Sequence, residues 1–342
     1  MESTVDEASI RLMTRAAVLY HRQKLTQREV AERMSTSRAA VGRLLASAEK
    51  TGIVTIRLSS PYQRLVELEV ALNRTFGLVE SLVVEPEGTD VESVNRDIAR
   101  GCAELLARRL RPGVTLGLGW RRSLSYIGDY FSEAGISSKS KDVTVVQLDG
   151  SSVPGPRQAH PIVGIGAIAD RIGAHHVVLP APLYAADQAT ASGLFRDEGV
   201  RRAMETAANA DICFFGVGSV SPTTTLAAIG QIDSALLSEL AQQGAVGDIV
   251  GRYFDINGDP LDTELARRTI SLPLERLKVC PVRVATAVGV AQLEALEAAF
   301  RGQLANALVT DLQTANALLD RAQDSVGKQQ EPKNVHPPMT SG

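Results

Sequence analysis

Along the first fifty residues the apolar positions recur at helical spacing. Between Ala8 and Arg22, the residues Ile10, Met13, Ala17, Val18 and Tyr20 predict one helix. After a break at Gln23–Leu25, Thr26 followed by Glu29 makes a TxxE capping box. That box predicts a second helix with Val30, Ala31 and Met34 inward. MSTS is then a turn, and Ser37 is the N-cap of a third helix with Val41, Leu44, Leu45 and Ala48 inward. Gly52 suits the left-handed position that closes it. Ile53–Leu58 alternates and predicts a short strand or wing. Ser59-Ser60-Pro61 is a linker, and Tyr62–Phe76 predicts a connecting helix with Leu65, Leu68, Leu72 and Phe76 on one stripe.

From Leu78 the period switches. Short β-prone runs (SLVVE, VTLGLG, VTVVQLDG, HHVVLPAP, ADICFFGVG, VRVATAVG, ALVTDL) alternate with helical stretches such as VESVNRDIARGCAELLARRL. Near-continuous apolar strands between helices predict a mostly parallel sheet covered on both faces, a doubly wound α/β domain. The expected domains are a helix-turn-helix head, winged-helix-like, over residues 1–58, a linker helix over 59–77 and an α/β domain over 78–323. The polar, proline-bearing segment 324–342 is expected to be disordered.

Composition narrows the class. Apolar residues at 44% and charged residues at 22% suit a folded globular chain and exclude an intrinsically disordered one. No run of about 18 apolar residues predicts a membrane span, and MESTVDEASI lacks an export signal, so a cytoplasmic location is expected. Cys102, Cys213 and Cys280 each sit in an apolar run and read as buried small hydrophobes. No spacing of Cys or His predicts a metal site, and no cofactor is expected. The charge is uneven. Residues 1–58 hold ten Lys/Arg against six Asp/Glu, a charge of +4, which leaves −7 for residues 59–342 out of a total of −3. A basic head on an acidic body points to a polyanion partner for the head alone.

The third helix supplies the chemistry for such a partner. After the Ser37 cap its outward positions are Arg38, Ala39, Ala40, Gly42 and Arg43. Arginine forks onto guanine, and small residues let a helix approach a base edge or a thymine methyl. Thr26, Gln27, Ser37 and Arg43 are candidate phosphate contacts. The plainer alternative is a helical hairpin with a solvated basic face. Ser35 occupies the turn position that usually favours glycine.

Taken in order, LTQREVAERMSTSRAAVGRLLASAEKTGIVTIRL, LVELEVALNRTFGL, GLGWRRSL, VVQLDG, VVLPAPLY, FGVGSV, GAVGDIVGRYFDINGDP and LVTDLQTANALL resemble the SorC family of bacterial sugar-responsive transcription regulators. The resemblance covers roughly residues 10–320. It implies an effector domain related in fold to sugar-phosphate isomerases and CoA-transferase-like proteins. It also implies a homo-oligomer, a tetramer built as a dimer of dimers, on double-stranded operator DNA, with a small sugar, polyol or sugar phosphate as effector.

The residues themselves fit an effector site. Gly117 and Gly119 end a strand, and Arg121-Arg122-Ser123 open a helix whose N–H groups attract anions. Gly216, Gly218 and Ser219 repeat the arrangement, with Asp149-Gly150 and Gly247-Asp248 beside them in pattern. In an open α/β sheet, ligands sit beyond the carboxyl ends of the strands. By the resemblance, Gly119, Trp120, Arg122, Ser123, Asp149, Gly150, Gly218 and Asp248 would line the pocket. For the aspartates the alternative is a cap or loop carboxylate, and for Trp120 a core position. Two departures stand out: Arg121 replaces a glycine common in the family, and Gln292 stands where many members carry a lysine. An uncharged sugar or polyol is therefore favoured, with Arg121 as a substitute cation for a phosphate being the other reading. Dinucleotide binding is not expected. GLGW lacks the third glycine of GxGxxG, and Asp149 follows Gly117 by 32 residues rather than about 20. His160, His175 and His176 read as surface or core histidines rather than bases. An isomerase- or deaminase-like enzyme with a DNA-binding head is the alternative function.

Overall fold

The computed structural model describes residues 6–56, 59–136, 142–151, 161–222 and 224–330. The chain divides into two units, Met1–Gln63 and Arg64–Gly342.

In the first unit Asp6 caps helix α1 (Glu7–Ala17), its carboxylate accepting from the Ser9 N–H. The helical winding widens at Val18–Arg22 into a π turn, where the Gln23 N–H reaches the Val18 carbonyl at 3.1 Å. The wider turn buries Leu19 and leaves Val18 exposed, the reverse of what uninterrupted spacing predicts. Helix α2 (Gln27–Arg33) starts on the capping box, with Thr26 and Glu29 satisfying each other's N–H groups. Its end is a Schellman closure: the Thr36 N–H meets the Ala31 carbonyl at 2.9 Å and the Ser35 N–H meets Glu32 at 3.2 Å. That closure holds Ser35 at φ 52°. Ser37 then caps helix α3 (Arg38–Lys50) by accepting from the Ala40 N–H. Ala16, Leu19, Val30, Ala31, Val41 and Leu45 form the core of the three helices.

The expected strand at Ile53–Leu58 does not form over Ile53–Ile56, and Arg57 and Leu58 lie outside the described residues. A strand here has no partner to satisfy its ladder, since no other strand occurs among the described residues of this unit. Val54 instead folds back on the helical core, its N–H donating to the Ala48 carbonyl.

The second unit begins with helix α4 (Gln63–Phe76), whose Leu65, Leu68, Leu72 and Phe76 stripe packs into the core. There follow β1 (Glu80–Val84), helix α5 (Val91–Ala107), β2 (Thr115–Leu118), helix α6 (Arg122–Ser125), β3 (Thr144–Gln147), helix α7 (Pro161–Ile172) and β4 (His175–Val177). The chain continues through β5 (Ile212–Ser219), β6 (Gly247–Ile249), β7 (Arg252–Phe254), β8 (Val282–Ala287) and β9 (Ala307–Asp311). The main sheet runs β1-β9-β8-β5-β2-β3-β4, every neighbour parallel. Helices cover both faces. Ile98, Leu105 and Leu106 of α5 with Ile165, Ile168 and Ile172 of α7 fill one side. Leu72 with Leu296 and Phe300 of the helix Leu293–Arg301 fill the other.

Two elements differ from expectation. β6 and β7 form an antiparallel hairpin on the end of β5, pairing Gly218 with Asp248 and Asp248 with Tyr253. Each strand is three residues long, too short for periodicity to register. The last helix, Leu312–Gln330, runs past the boundary expected at 323, and residues 331–342 lie outside the described residues. Cys102, Cys213 and Cys280 are all buried.

Candidate functional site

The sheet's topology sets where a ligand can enter. β2 leads into α6, on the side that holds Leu124 and Ile165. Its neighbour β5 leads the other way, toward the β6–β7 hairpin and the cluster of Leu226. Adjacent strands whose exits diverge leave a crevice at their carboxyl ends, the topological switch point of an open sheet. The crevice here is bounded by the Gly119–Arg121 loop and the end of β5.

A cleft of about 780 Å³, counted with its open mouth, occupies the β5 side. It brings together Trp120, Arg121, Asp149, Gly216, Gly218 and Ser219 with Asp248 and Gln292, eight of the residues expected from sequence. Two glycines of β5 explain how the charged groups fit. A Cβ on Gly216 would stand 2.4 Å from Arg121 Cδ, and a Cβ on Gly218 would stand 2.0 Å from Asp248 Oδ1. Their missing side chains are the seats of Arg121 and Asp248. These glycines therefore make room for side chains of other elements.

Both carboxylates are buried, Asp149 being 4% exposed and Asp248 8%. Asp149 accepts the Trp120 N–H at 3.0 and 3.1 Å on its two oxygens. Asp248 accepts the Gly251 N–H at 3.2 Å. Burial pushes the Asp149 carboxyl up to about 7, with the Trp120 N–H and its own N–H opposing and Asp248 adding to the rise. Burial likewise pushes Asp248 up to about 6 against the pull of Arg121. Desolvation lowers the Arg121 guanidinium, and the nearby Asp248 counters it. Arg121 lines the cleft and makes no ion pair among the described residues. The Gln292 Oε1 accepts from the Val288 N–H at 2.9 Å, leaving its amide N–H₂ for the cleft. A polyhydroxyl ligand fits this set, because carboxylates accept hydroxyl protons while a guanidinium donates to oxygen.

The remaining expected residues lie elsewhere. Gly117 is inside the sheet, where a Cβ would meet Leu148 at 2.6 Å and Cys213 Sγ at 2.9 Å. A Cβ on Gly150 would stand 2.4 Å from the Pro182 carbonyl oxygen, so Gly150 lies against that backbone. Ser123 is buried and lines none of the cavities described here. Gly119 lines a second, smaller recess on the α6–α7 side, which shares Trp120, Arg121 and Asp149 with the cleft. Arg122 faces a third cavity, together with Arg64, Glu85 and Asp311. Trp120 is half-buried against Leu183 and Leu226, so it is both a wall of the cleft and part of a small core. His175 and His176 are exposed on β4, and His160 lies outside the described residues.

Sequence reasoning missed Leu183, Thr224, Leu226, Val250, Gly251 and Ala291 of the cleft. Val250 and Gly251 form the two-residue hairpin turn, at φ 49° and 75°. Such turns need φ > 0 at both positions and usually carry Asn-Gly. A β-branched residue there is a true outlier. The signal was thus present as glycine and masked by valine.

In the first unit, Thr26, Ser37, Arg38, Ala39 and Arg43 are exposed, and Gln27, Ala40 and Gly42 half-buried. A Cβ on Gly42 would lie 4.0 Å from the Gln27 Oε1, so Gln27 and α3 share one surface. Neither Arg38 nor Arg43 makes an ion pair among the described residues.

Comparison with known proteins adds an independent line. The family model described as "Putative sugar-binding domain" matches residues 60–320. The "Deoxyribonucleoside regulator" of Bacillus subtilis is 28% identical over 316 residues, spanning 92% of this chain and 99% of that protein. The "Transcriptional regulator LsrR" of Escherichia coli is 31% identical over 319 residues, 90% of this chain and 94% of that protein. Among solved structures, the full-length sorbitol operon regulator SorC from Klebsiella pneumoniae superposes with a TM-score of 0.69 at 26% identity, covering 92% of this chain and all of that one. A DeoR family transcriptional regulator from Listeria monocytogenes gives 0.68 at 28% identity over 75% of this chain.

Proposed function

The chain belongs to the SorC family of sugar-responsive transcription regulators, and we propose that residues 1–58 read operator DNA under the control of a small sugar bound at the switch-point cleft. It is a regulator rather than an enzyme: the relatives above carry regulator names.

In this reading α2 and α3 are a helix-turn-helix, with α3 lying in the major groove. Arg38 reads a guanine edge, and Ala39 and Ala40 let the helix come close. Thr26, Gln27, Ser37 and Arg43 hold phosphates. Residues 59–77 connect, and 78–323 bind effector and associate as a tetramer, a dimer of dimers, in a fold akin to sugar-phosphate isomerases and CoA-transferase-like proteins. Effector binding changes subunit packing and with it the spacing of paired α3 helices. Half-sites are set about 34 Å apart per helical turn, so small rotations weaken the operator complex. No helix among the described residues is long and apolar enough to cross a membrane, and reading an operator places the chain in the cytoplasm.

The observation that carries the effector half is the meeting of Arg121, Asp149 and Asp248 in one cleft inside the matched segment. Arg121 is the one cation among the residues lining it, facing two carboxylates. A phosphate would meet more negative than positive charge there, so the effector is an uncharged sugar or polyol. A mobility-shift assay on operator DNA with and without sugars tests the regulator reading: ligand-dependent shift is expected, and turnover of a sugar phosphate without any shift would replace it with the enzyme. Titration calorimetry of a sugar beside its phosphate tests the charge argument. A preference of about tenfold for the phosphate, worth about 1.4 kcal/mol, overturns it.

A further inference from the structure

The recess on the α6–α7 side of the switch point differs in chemistry from the cleft it adjoins. Its walls are Leu118, Leu124, Ile165 and Ile168, all buried members of one hydrophobic cluster. One uncharged polar side chain, Gln147, lines it while being only 1% exposed. The Gln147 Oε1 accepts from the Leu179 N–H at 3.4 Å, which orients the amide. Its Nε2 has no hydrogen-bond partner among the described residues. A buried donor left unpaired in a native fold calls for an explanation, and an absent ligand is one. Asp149, two residues on, lines the same recess. Its two oxygens share the Trp120 N–H at 3.0 and 3.1 Å and keep lone pairs free.

The recess therefore presents three features side by side: an apolar wall, an unpaired N–H donor and a carboxylate acceptor. A bare hydroxyl wastes the apolar wall. A methyl group alone leaves Gln147 unpaired. A phosphate offers no apolar surface and is repelled by Asp149. An acetamido group answers all three, with a methyl, a carbonyl oxygen and an N–H in one planar unit.

We propose that the effector is an N-acylated amino sugar whose acyl group occupies this recess, its methyl against Leu118, Leu124, Ile165 and Ile168, its carbonyl oxygen accepting from Gln147 Nε2, and its N–H donating to Asp149. The sugar hydroxyls then extend past Trp120 to Arg121 and Asp248 in the cleft. The proposal rests on the sugar-binding role argued above and narrows it.

Calorimetric titration of the full-length protein tests it, with N-acetylglucosamine, N-acetylmannosamine and N-acetylgalactosamine each measured beside its parent hexose. At least one acetamido sugar is expected to bind about tenfold or more tighter than its parent. Gln147→Met removes the donor and is expected to cut that ratio by about tenfold, the size of one lost hydrogen bond. Ile165→Phe, which fills the recess, is expected to abolish the ratio and serves if the first variant does not fold. Parent hexoses that bind as tightly as their acetamido derivatives overturn this proposal alone, as does a ratio that survives both substitutions. Failure of every sugar, acylated or not, to bind overturns the sugar-binding reading and this proposal with it.

Discussion

Replacing Gly216 by alanine is a test of how the cleft is built. The new Cβ would stand 2.4 Å from Arg121 Cδ, 2.7 Å from its Nε and 3.0 Å from its Cζ. A comfortable carbon contact is roughly 3.5–4.0 Å, so the arginine must leave. What yields is a side chain with several free torsions, and the strand can stay as it is. The expected loss is that of charge-assisted hydrogen bonds from the guanidinium to the effector, about 1.5–3 kcal/mol. That corresponds to roughly a 10- to 150-fold weaker dissociation constant. Thermal stability is expected to change by less than about 1 kcal/mol. Gly258→Ala is the matched control. There the Cβ would meet the Ala298 carbonyl oxygen at 2.5 Å and Gly302 Cα at 2.7 Å, at φ 79°. Backbone cannot swing aside, so about 1–3 kcal/mol of stability is expected to go. Titration calorimetry with the tightest sugar, paired with thermal unfolding of each variant, reads both effects. A Gly216→Ala protein that binds the sugar within about threefold of the parent chain, or that unfolds as easily as Gly258→Ala, refutes the reasoning.

Three further outcomes follow from particular residues. Arg38→Ala is expected to cost about 1–3 kcal/mol of operator affinity and relax preference at one base pair, while Arg43→Ala weakens all sequences alike and lowers the salt slope by about one; mobility shifts across base-pair variants and salt separate them. Both buried aspartates sit above the unfolded carboxylate range, Asp149 at about 7 and Asp248 at about 6. The folded state then holds more protons than the unfolded one between pH 4 and 7, so the stability of the free protein falls as pH rises through that window. A ligand that donates hydroxyls to the carboxylates binds more tightly over the same rise. Unfolding and titration at several pH values show both trends, and Asp149→Asn with Asp248→Asn should flatten them. Ser35→Gly relieves the left-handed strain at φ 52° and is expected to stabilise the head by about 0.5–1 kcal/mol, net of the glycine entropy, in thermal unfolding.

The helices of the head were readable because their stops are chemical. Thr26, Glu29, Ser37 and Gly52 each satisfy or close a helix end locally, so a window of four residues suffices. Six of the seven strands of the parallel sheet were readable because their mostly buried residues make apolar runs, and the exposed β4 was readable from the apolar VVL that follows its two histidines. What escaped depends on distant partners. Ile53–Ile56 has strand composition but no neighbour, and β6–β7 has neighbours but little composition. At the site, the sequence marked Arg121, Asp149 and Asp248 but not what Gly216 and Gly218 do for them, since that is a matter of volume across strands. Gln147 escaped because its meaning lies in a partner it lacks.

Gly216 and Gly218 lend their empty volume to side chains from other parts of the chain, and this couples positions that are far apart in the alignment of any lineage. A descendant that acquires an alanine at 216 drives the long cation at 121 out of its seat, and one that fills 218 displaces the acid at 248. Change in ligand preference is thereby channelled: the route open to drift runs through the guests, residues 121 and 248, while their two hosts on β5 stay small.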